Sequence, residues 1–377
     1  MNTTYTEQME SKIFNQWDEF DNYNEDYSSL IDTLNGENTF RSFGDGLLLF
    51  MQKKKPNLTA ETAVKLLDKL CLECKVPVKD IASANTLKSW FKGGPRPKKG
   101  EESRKSMFAL AFALELTPAE TAELFHKVYL DRAFDYRNAD EIIYYFCLNN
   151  KKSWADAEGL ISLSQGTNGD NNDHTVYTAQ IRADIGLITD ESELISYISK
   201  HRHNLEKANI SAKKNLQDLI SNAKTIAKTE SESAEYDDIF KGSDKDSLNF
   251  LYEMVTSLSV SGDKGTKTLF KNARLPKEIK NRFPEAATLS KNEPTYEELR
   301  KMIILLFSYV YWYKIQKSDT TPMIDDYISE VDVYLTDSGL SPIYYGNPYD
   351  WLFLYCSLAE RPLDTLRAVL AEVLAEE

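Results

Sequence analysis

Apolar residues along this chain recur mostly at intervals of three and four, and no stretch alternates apolar with polar long enough to need a sheet, so the pattern predicts an all-α protein. In the acidic first forty residues, Phe14, Trp17 and Phe20 fall at i, i+3 and i+6, predicting an amphipathic helix able to dock on the rest of the protein. Asn35-Gly36 breaks that segment. From Thr39, the positions of Phe43, Leu47, Leu48, Phe50 and Met51 predict a short helix closed by Lys53-Lys54-Lys55-Pro56. Thr59 offers a hydroxyl suited to an N-cap, and Ala63, Leu66, Leu67, Leu70, Cys71 and Cys74 share one face of the helix behind it. Val76-Pro77 interrupts, a short segment through Ile81 follows, and helices are then expected at 84–93, 101–114, 118–130 and 138–149. Thr117-Pro118, with acids behind it, marks the start of the third of these.

Ser162 to Asn172 is polar, contains glycine and lacks apolar periodicity, which places a linker at 162–180. Beyond it the spacing predicts a long helix from Glu191 to about Lys228, a weaker one over 247–258, and the strongest in the chain from Pro294 through Ile315. Shorter helices are expected near 321–337, 347–359 and 361–375. The domain expectation is therefore a helical segment 1–40, a domain 41–161, the linker 162–180, a middle domain 181–292 and a C-terminal domain 293–377.

Composition narrows the class. Of 377 residues, 42 % are hydrophobic and 28 % charged, which fits a globular protein and excludes a disordered one. The longest apolar stretch, Met302 to Tyr313, has 12 residues, short of the roughly 20 that span a bilayer. No basic-then-apolar leader opens the sequence, so a cytoplasmic location is expected. With four cysteines and only Cys71 and Cys74 close together, the pattern points to reduced core thiols; half of a zinc site is the alternative, lacking a second ligand pair. No cofactor is called for. Charge is distributed unevenly: Gln52 to Lys105 carries 14 Lys/Arg against 6 Asp/Glu, a local +8 in a chain of formal net charge −14, leaving −22 for the remainder.

That reversal surrounds the segment with the most chemistry. On a helix over 84–93, Leu87, Trp90 and Phe91 face inward, while Asn85, Thr86, Lys88, Ser89 and Lys92 face outward. A helix entering the DNA major groove needs short or polar side chains toward its N-terminal end and cations at its flanks, and Asn85 suits a bidentate contact with adenine.

The segments Ser42-Phe43-Gly44-Asp45-Gly46-Leu47-Leu48-Leu49-Phe50 and Thr86-Leu87-Lys88-Ser89-Trp90-Phe91-Lys92-Gly93 resemble the first and recognition helices of lambda-repressor/Cro (XRE)-type helix-turn-helix proteins. The basic turn Gly93-Gly94-Pro95-Arg96-Pro97, the run Phe108 to Leu114 and the capped start Thr117 to Glu120 extend the resemblance over about residues 41–128. It departs from the family between the two helices, where Glu73 to Ala82 replaces a compact turn. The resemblance implies double-stranded DNA as partner, transcriptional regulation and binding as a homodimer. Aligned on it, Ala84, Asn85, Ser89 and Lys92 fall at base or groove contacts, and Arg96, Lys98, Lys99, Arg104 and Lys105 serve as phosphate anchors.

Blander readings stand beside this one. Trp-Phe with lysines four apart also describes an ordinary solvated helix, and the acidic, aromatic-rich C-terminal region fits self-association or a protein partner. The corresponding alternative function is an interaction factor that binds no DNA, such as a phage or mobile-element inhibitor whose acidic surface mimics nucleic acid. No nucleophile elbow, phosphate loop or dinucleotide fingerprint is present, so the chain reads as a non-enzyme. The clusters Tyr309, Tyr311, Trp312, Tyr313 and Tyr344, Tyr345, Tyr349, Trp351, Tyr355 fit core packing better than base stacking.

Overall fold

A computed structural model describes residues 5–19, 27–36, 39–97, 100–165, 178–205, 210–231, 244–258, 283–291, 294–318 and 323–374. Among these the fold is all-α, without a strand. The contacts gather them into two units: an inserted unit, Arg41–Ala208, and a flanking unit formed by Met1–Phe40 with Asn209–Glu377.

The inserted unit runs α3 (Phe43–Gln52), α4 (Ala60–Glu73), α5 (Val78–Ile81), α6 (Ala84–Trp90), α7 (Glu101–Ala113), α8 (Pro118–Glu123), α9 (Ala139–Asn149), α10 (Trp154–Gln165), α11 (Thr178–Leu187) and α12 (Glu191–Leu205). Hydroxyl caps set several starts: Ser42 Oγ accepts from the Asp45 N–H, Ser83 Oγ from Thr86, and Thr59 and Thr117 each close a reciprocal capping box. Helix α7 lies at the centre because Met107 through Ala113 is apolar all round, and every one of these residues is buried. Phe108 anchors an aromatic layer, with its ring 4.7 Å from Phe125 and 4.9 Å from Tyr144, which stacks on Trp154 at 5.3 Å. Cys71 is core, and burial raises its thiol pKa to about 11.

The flanking unit holds α1 (Tyr5–Glu19), α2 (Ser28–Asn35), α13 (Ile210–Ser231), α14 (Asp244–Thr256), α15 (Tyr296–Ser318), α16 (Ile324–Asp337), α17 (Pro348–Cys356) and α18 (Pro362–Leu374). Its axis is α15, buried from Leu299 to Val310 and packed against α13, α16 and α18. The aromatic clusters belong to this core: Tyr309, Trp312, Tyr349, Trp351 and Tyr355 are all buried. They do not form a base-stacking surface.

Several sequence expectations are corrected. The 162–180 stretch does not divide domains, because Ile181, Ile185, Ile188, Leu194, Ile198 and Leu205 beyond it bury themselves in the same core as α7 and α9. The expected middle domain 181–292 is accordingly shared between the two units at Ala208/Asn209. The long helix 191–228 is two helices, α12 and α13, one in each unit. In α1, Met9 and Ile13 are buried while Phe14 is 39 % exposed, so the docking face runs through Met9, Ile13 and Trp17; Phe20 lies outside the described residues. That face packs on α17: the Trp351 indole N–H donates to the Met9 carbonyl at 3.3 Å, and Trp17 meets Tyr355 edge-on at 5.3 Å. Residues 1–40 therefore do not form a separate segment.

Candidate nucleic-acid interface

The segment expected to be a helix over 84–93 is helical from Ala84 to Trp90. It stops because Gly93 takes a left-handed conformation at φ 77°, which lets the Gly94 N–H donate to the Ser89 carbonyl at 2.8 Å. Lys92 thus sits in the closing turn, not on the helix. Between α3 and α6 lies the whole of α4, and Glu73 to Ala82 folds as the end of α4, a left-handed Lys75 and the four-residue α5. Only Ala82 and Ser83 separate α5 from α6.

Three contacts hold α6. Leu87 and Trp90 are buried, at 1 % and 4 % exposure, and the Trp90 ring meets Phe43 of α3 edge-on at 4.8 Å. Backbone meets backbone at the third: a Cβ added at Gly44 would come within 1.8 Å of the Trp90 carbonyl oxygen, so only glycine admits this approach. Asp80 also ties α5 to α10 by accepting from the Trp154 indole at 3.0 Å.

What remains outward matches the expected face in part. Ala84, Asn85, Thr86, Lys88 and Lys92 are exposed and Ser89 is half-exposed. The Thr86 hydroxyl is 2.9 Å from Ser83 Oγ, so it contributes to the cap at the start of α6. Lys88 and Lys92 have no ion-pair partner among the described residues.

The predicted phosphate anchors divide differently. Lys98 and Lys99 lie outside the described residues. Arg96 donates from Nε to the Val128 carbonyl and from Nη2 to the Arg41 carbonyl, both at 3.2 Å, pinning the basic turn to its own domain. Lys105 is held at 2.6 Å by Glu158 and lies over the Trp154 ring. Arg104 is no anchor at all, being only 8 % exposed.

All five N–H donors of Arg104 are used within the unit. Nε and Nη2 grip Glu141 through two hydrogen bonds of 2.7 Å, Nη1 reaches Asp131 at 3.0 Å and the Arg132 carbonyl at 2.9 Å, and Nη2 also reaches the Ala133 carbonyl at 3.0 Å. Burial opposes the guanidinium charge, and Glu141 with Asp131 more than offsets that, so its pKa lies above the ordinary arginine value. Asp131 is delivered by a local distortion: the expected helix 118–130 becomes a π-helical segment over Leu124–Tyr129 and ends at the left-handed Leu130, with the Asp131 N–H donating to the Phe125 carbonyl.

The basic excess is thereby reduced. Of the 14 cations between Gln52 and Lys105, Lys53, Lys54, Lys69, Arg104 and Lys105 pair with carboxylates of the unit. Lys55, Lys65, Lys75, Lys79, Lys88 and Lys92 are exposed and without such partners among the described residues. Lys75 and Lys79 on the approach to α6 were not singled out as site residues; the Lys-Val-Pro-Val-Lys spacing ahead of the motif was the available signal. Comparison of the chain with models of known families, with curated proteins and with solved structures finds no match.

Proposed function

We propose that the protein is a DNA-binding transcriptional regulator that places α6 in the major groove. The observation that supports this best is the division of α6 into two faces: Leu87 and Trp90 fixed on the domain, and Asn85, Lys88 and the following Lys92 outward, the two lysines without an ion-pair partner among the described residues. Asn85 reads adenine through its amide, and Lys88, Lys92 and Lys79 contact phosphates. Two copies act together on half-sites about 34 Å apart, because one small module covers too little DNA for tight specific binding.

The test is selection from random duplex DNA at two salt concentrations, beside a variant with alanine at Lys79, Lys88 and Lys92. A two-fold motif enriched by the natural chain and lost in the variant supports the reading. No enrichment, with retention indifferent to salt, overturns it in favour of a protein-interaction factor. That second reading draws on the −22 carried outside Gln52–Lys105, which suits a basic protein partner.

A further inference from the structure

Within the inserted unit, the first turn of α7, the start of α9, the end of α10 and the inner face of α12 enclose a cleft of about 540 Å³. That volume lies in the range of small-molecule pockets. Tyr144 and Ile198 supply apolar wall, and two charged groups on the lining make no ion pair among the described residues.

The first is Arg202. Its Nη2 donates to the Ser164 carbonyl, its Nε is shut off from solvent with no acceptor, and it makes no ion pair among the described residues. The second is Asp140, half-buried at the start of α9, whose carboxylate accepts no hydrogen bond and makes no ion pair among the described residues. Burial pushes the Asp140 carboxyl above the ordinary range; Lys105 pulls the other way, and Glu158, Glu141 and Glu101 add to the rise. Lys105 is itself held by Glu158. Arg202 and Asp140 do not satisfy each other, since no nitrogen of one lies within 4.0 Å of an oxygen of the other. One cleft therefore presents a guanidinium and a carboxylate that make no ion pair with each other or with any other described residue.

We propose that this cleft binds a small zwitterionic metabolite of the α-amino-acid class, with its carboxylate on Arg202 and its ammonium on Asp140. A simple anion fits less well, because it leaves Asp140 unpaired in a lining where Glu101, Glu102, Asp140 and Glu141 already match Arg104, Lys105, Arg137 and Arg202 in number. A simple cation leaves the Arg202 charge without a counter-ion. The zwitterion meets both, and its side chain takes the wall at Tyr144 and Ile198. The proposal holds whether or not α6 binds DNA.

The experiment is isothermal titration calorimetry of the full chain with each proteinogenic L-amino acid in turn, with acetate and methylamine as single-charge controls. At least one amino acid is expected to bind saturably at one site per chain. Arg202→Ala and Asp140→Asn should each weaken it about tenfold or more, the loss of one charged contact. Asp140→Asn keeps the shape of the side chain, so it carries the test if Arg202→Ala fails to fold. The proposal is overturned if no amino acid binds, if binding survives Asp140→Asn, or if acetate binds as tightly as the best amino acid.

Discussion

Each unit holds a buried arginine gripped by buried carboxylates, Arg104 in the inserted unit and Arg300 in the flanking one, and the two are satisfied differently. In the flanking unit, Arg300 grips Asp350 through two hydrogen bonds of 2.8 and 2.7 Å and donates to the Ser341 and Pro342 carbonyls, both at 2.8 Å, so α15 is tied to α17 and the loop before it. Its single carboxylate is fully buried and also accepts the Tyr344 N–H. Arg104 in the inserted unit faces two carboxylates and two carbonyls, and joins α7, the end of the π-helical segment and α9. Buried ion pairs add little net stability but are costly to break, because the partner left behind keeps its charge in a poor solvent. Arg104 leaves two such partners and Arg300 one, so the inserted unit depends more heavily on its arginine.

Arg104→Ala is therefore expected to have the largest effect of any single change, at or above the roughly 3–5 kcal/mol typical of breaking a buried pair, with Arg300→Ala somewhat below it. Urea unfolding followed by fluorescence checks this, with Trp90 and Trp154 reporting on the inserted unit and Trp17, Trp312 and Trp351 on the flanking one. Equal losses would erase the distinction. Next, Ile13→Ala should cost about 2–5 kcal/mol and act on the flanking unit alone, since Ile13 is fully buried in that core. Removing a side chain from the first twenty residues without effect would break the assignment of α1 to that unit.

Gly44→Ala should cost about 1–3 kcal/mol in the inserted unit, because the new methyl collides with the Trp90 carbonyl, and under the proposed DNA-binding role it should weaken that binding by moving α6. Lys88→Ala with Lys92→Ala should leave stability within about 0.5 kcal/mol and lower the slope of log affinity against log salt by about 2, one unit per phosphate contact. The smallest expected effect concerns acid. The Thr117 backbone N–H donates to Glu120 at 2.8 Å and holds its carboxyl below the ordinary range, with the Thr117 hydroxyl and Lys54 adding to this and burial opposing it. A depressed folded pKa stabilises above the unfolded value of about 4.3 and loses that contribution as pH falls through the depressed one. Glu120→Gln should therefore make the inserted unit's stability less steep in pH below about 4.

Helical periodicity made the class of fold and most elements legible, because buried faces repeat at 3.6 residues whatever they pack against. It also made the inward side of α6 legible through Leu87 and Trp90. Arg104 was not legible, since it follows Lys98 and Lys99 in a basic run while its partner Glu141 lies 37 residues downstream. The domain boundary failed for a related reason. A polar stretch marks where the chain leaves a core, but only the packing of Ile181, Ile185 and Ile198 shows that it returns to the same one. In α1 the aromatic spacing pointed to Phe14, whereas the chain buries Met9 and Ile13, which sit four apart on a neighbouring stripe.

The hydrogen bond from Trp351 to Met9 spans 342 positions of sequence. During synthesis the inserted unit has all of its residues once Ala208 has emerged, and it can form while the remainder is still being made. Helix α1, made before α17, must wait until α17 leaves the ribosome before its apolar stripe meets that partner. Until then Met9, Ile13 and Trp17 lack the surface of α17 they pack on, an opening for chaperones and for premature association that completion of the insert does not close.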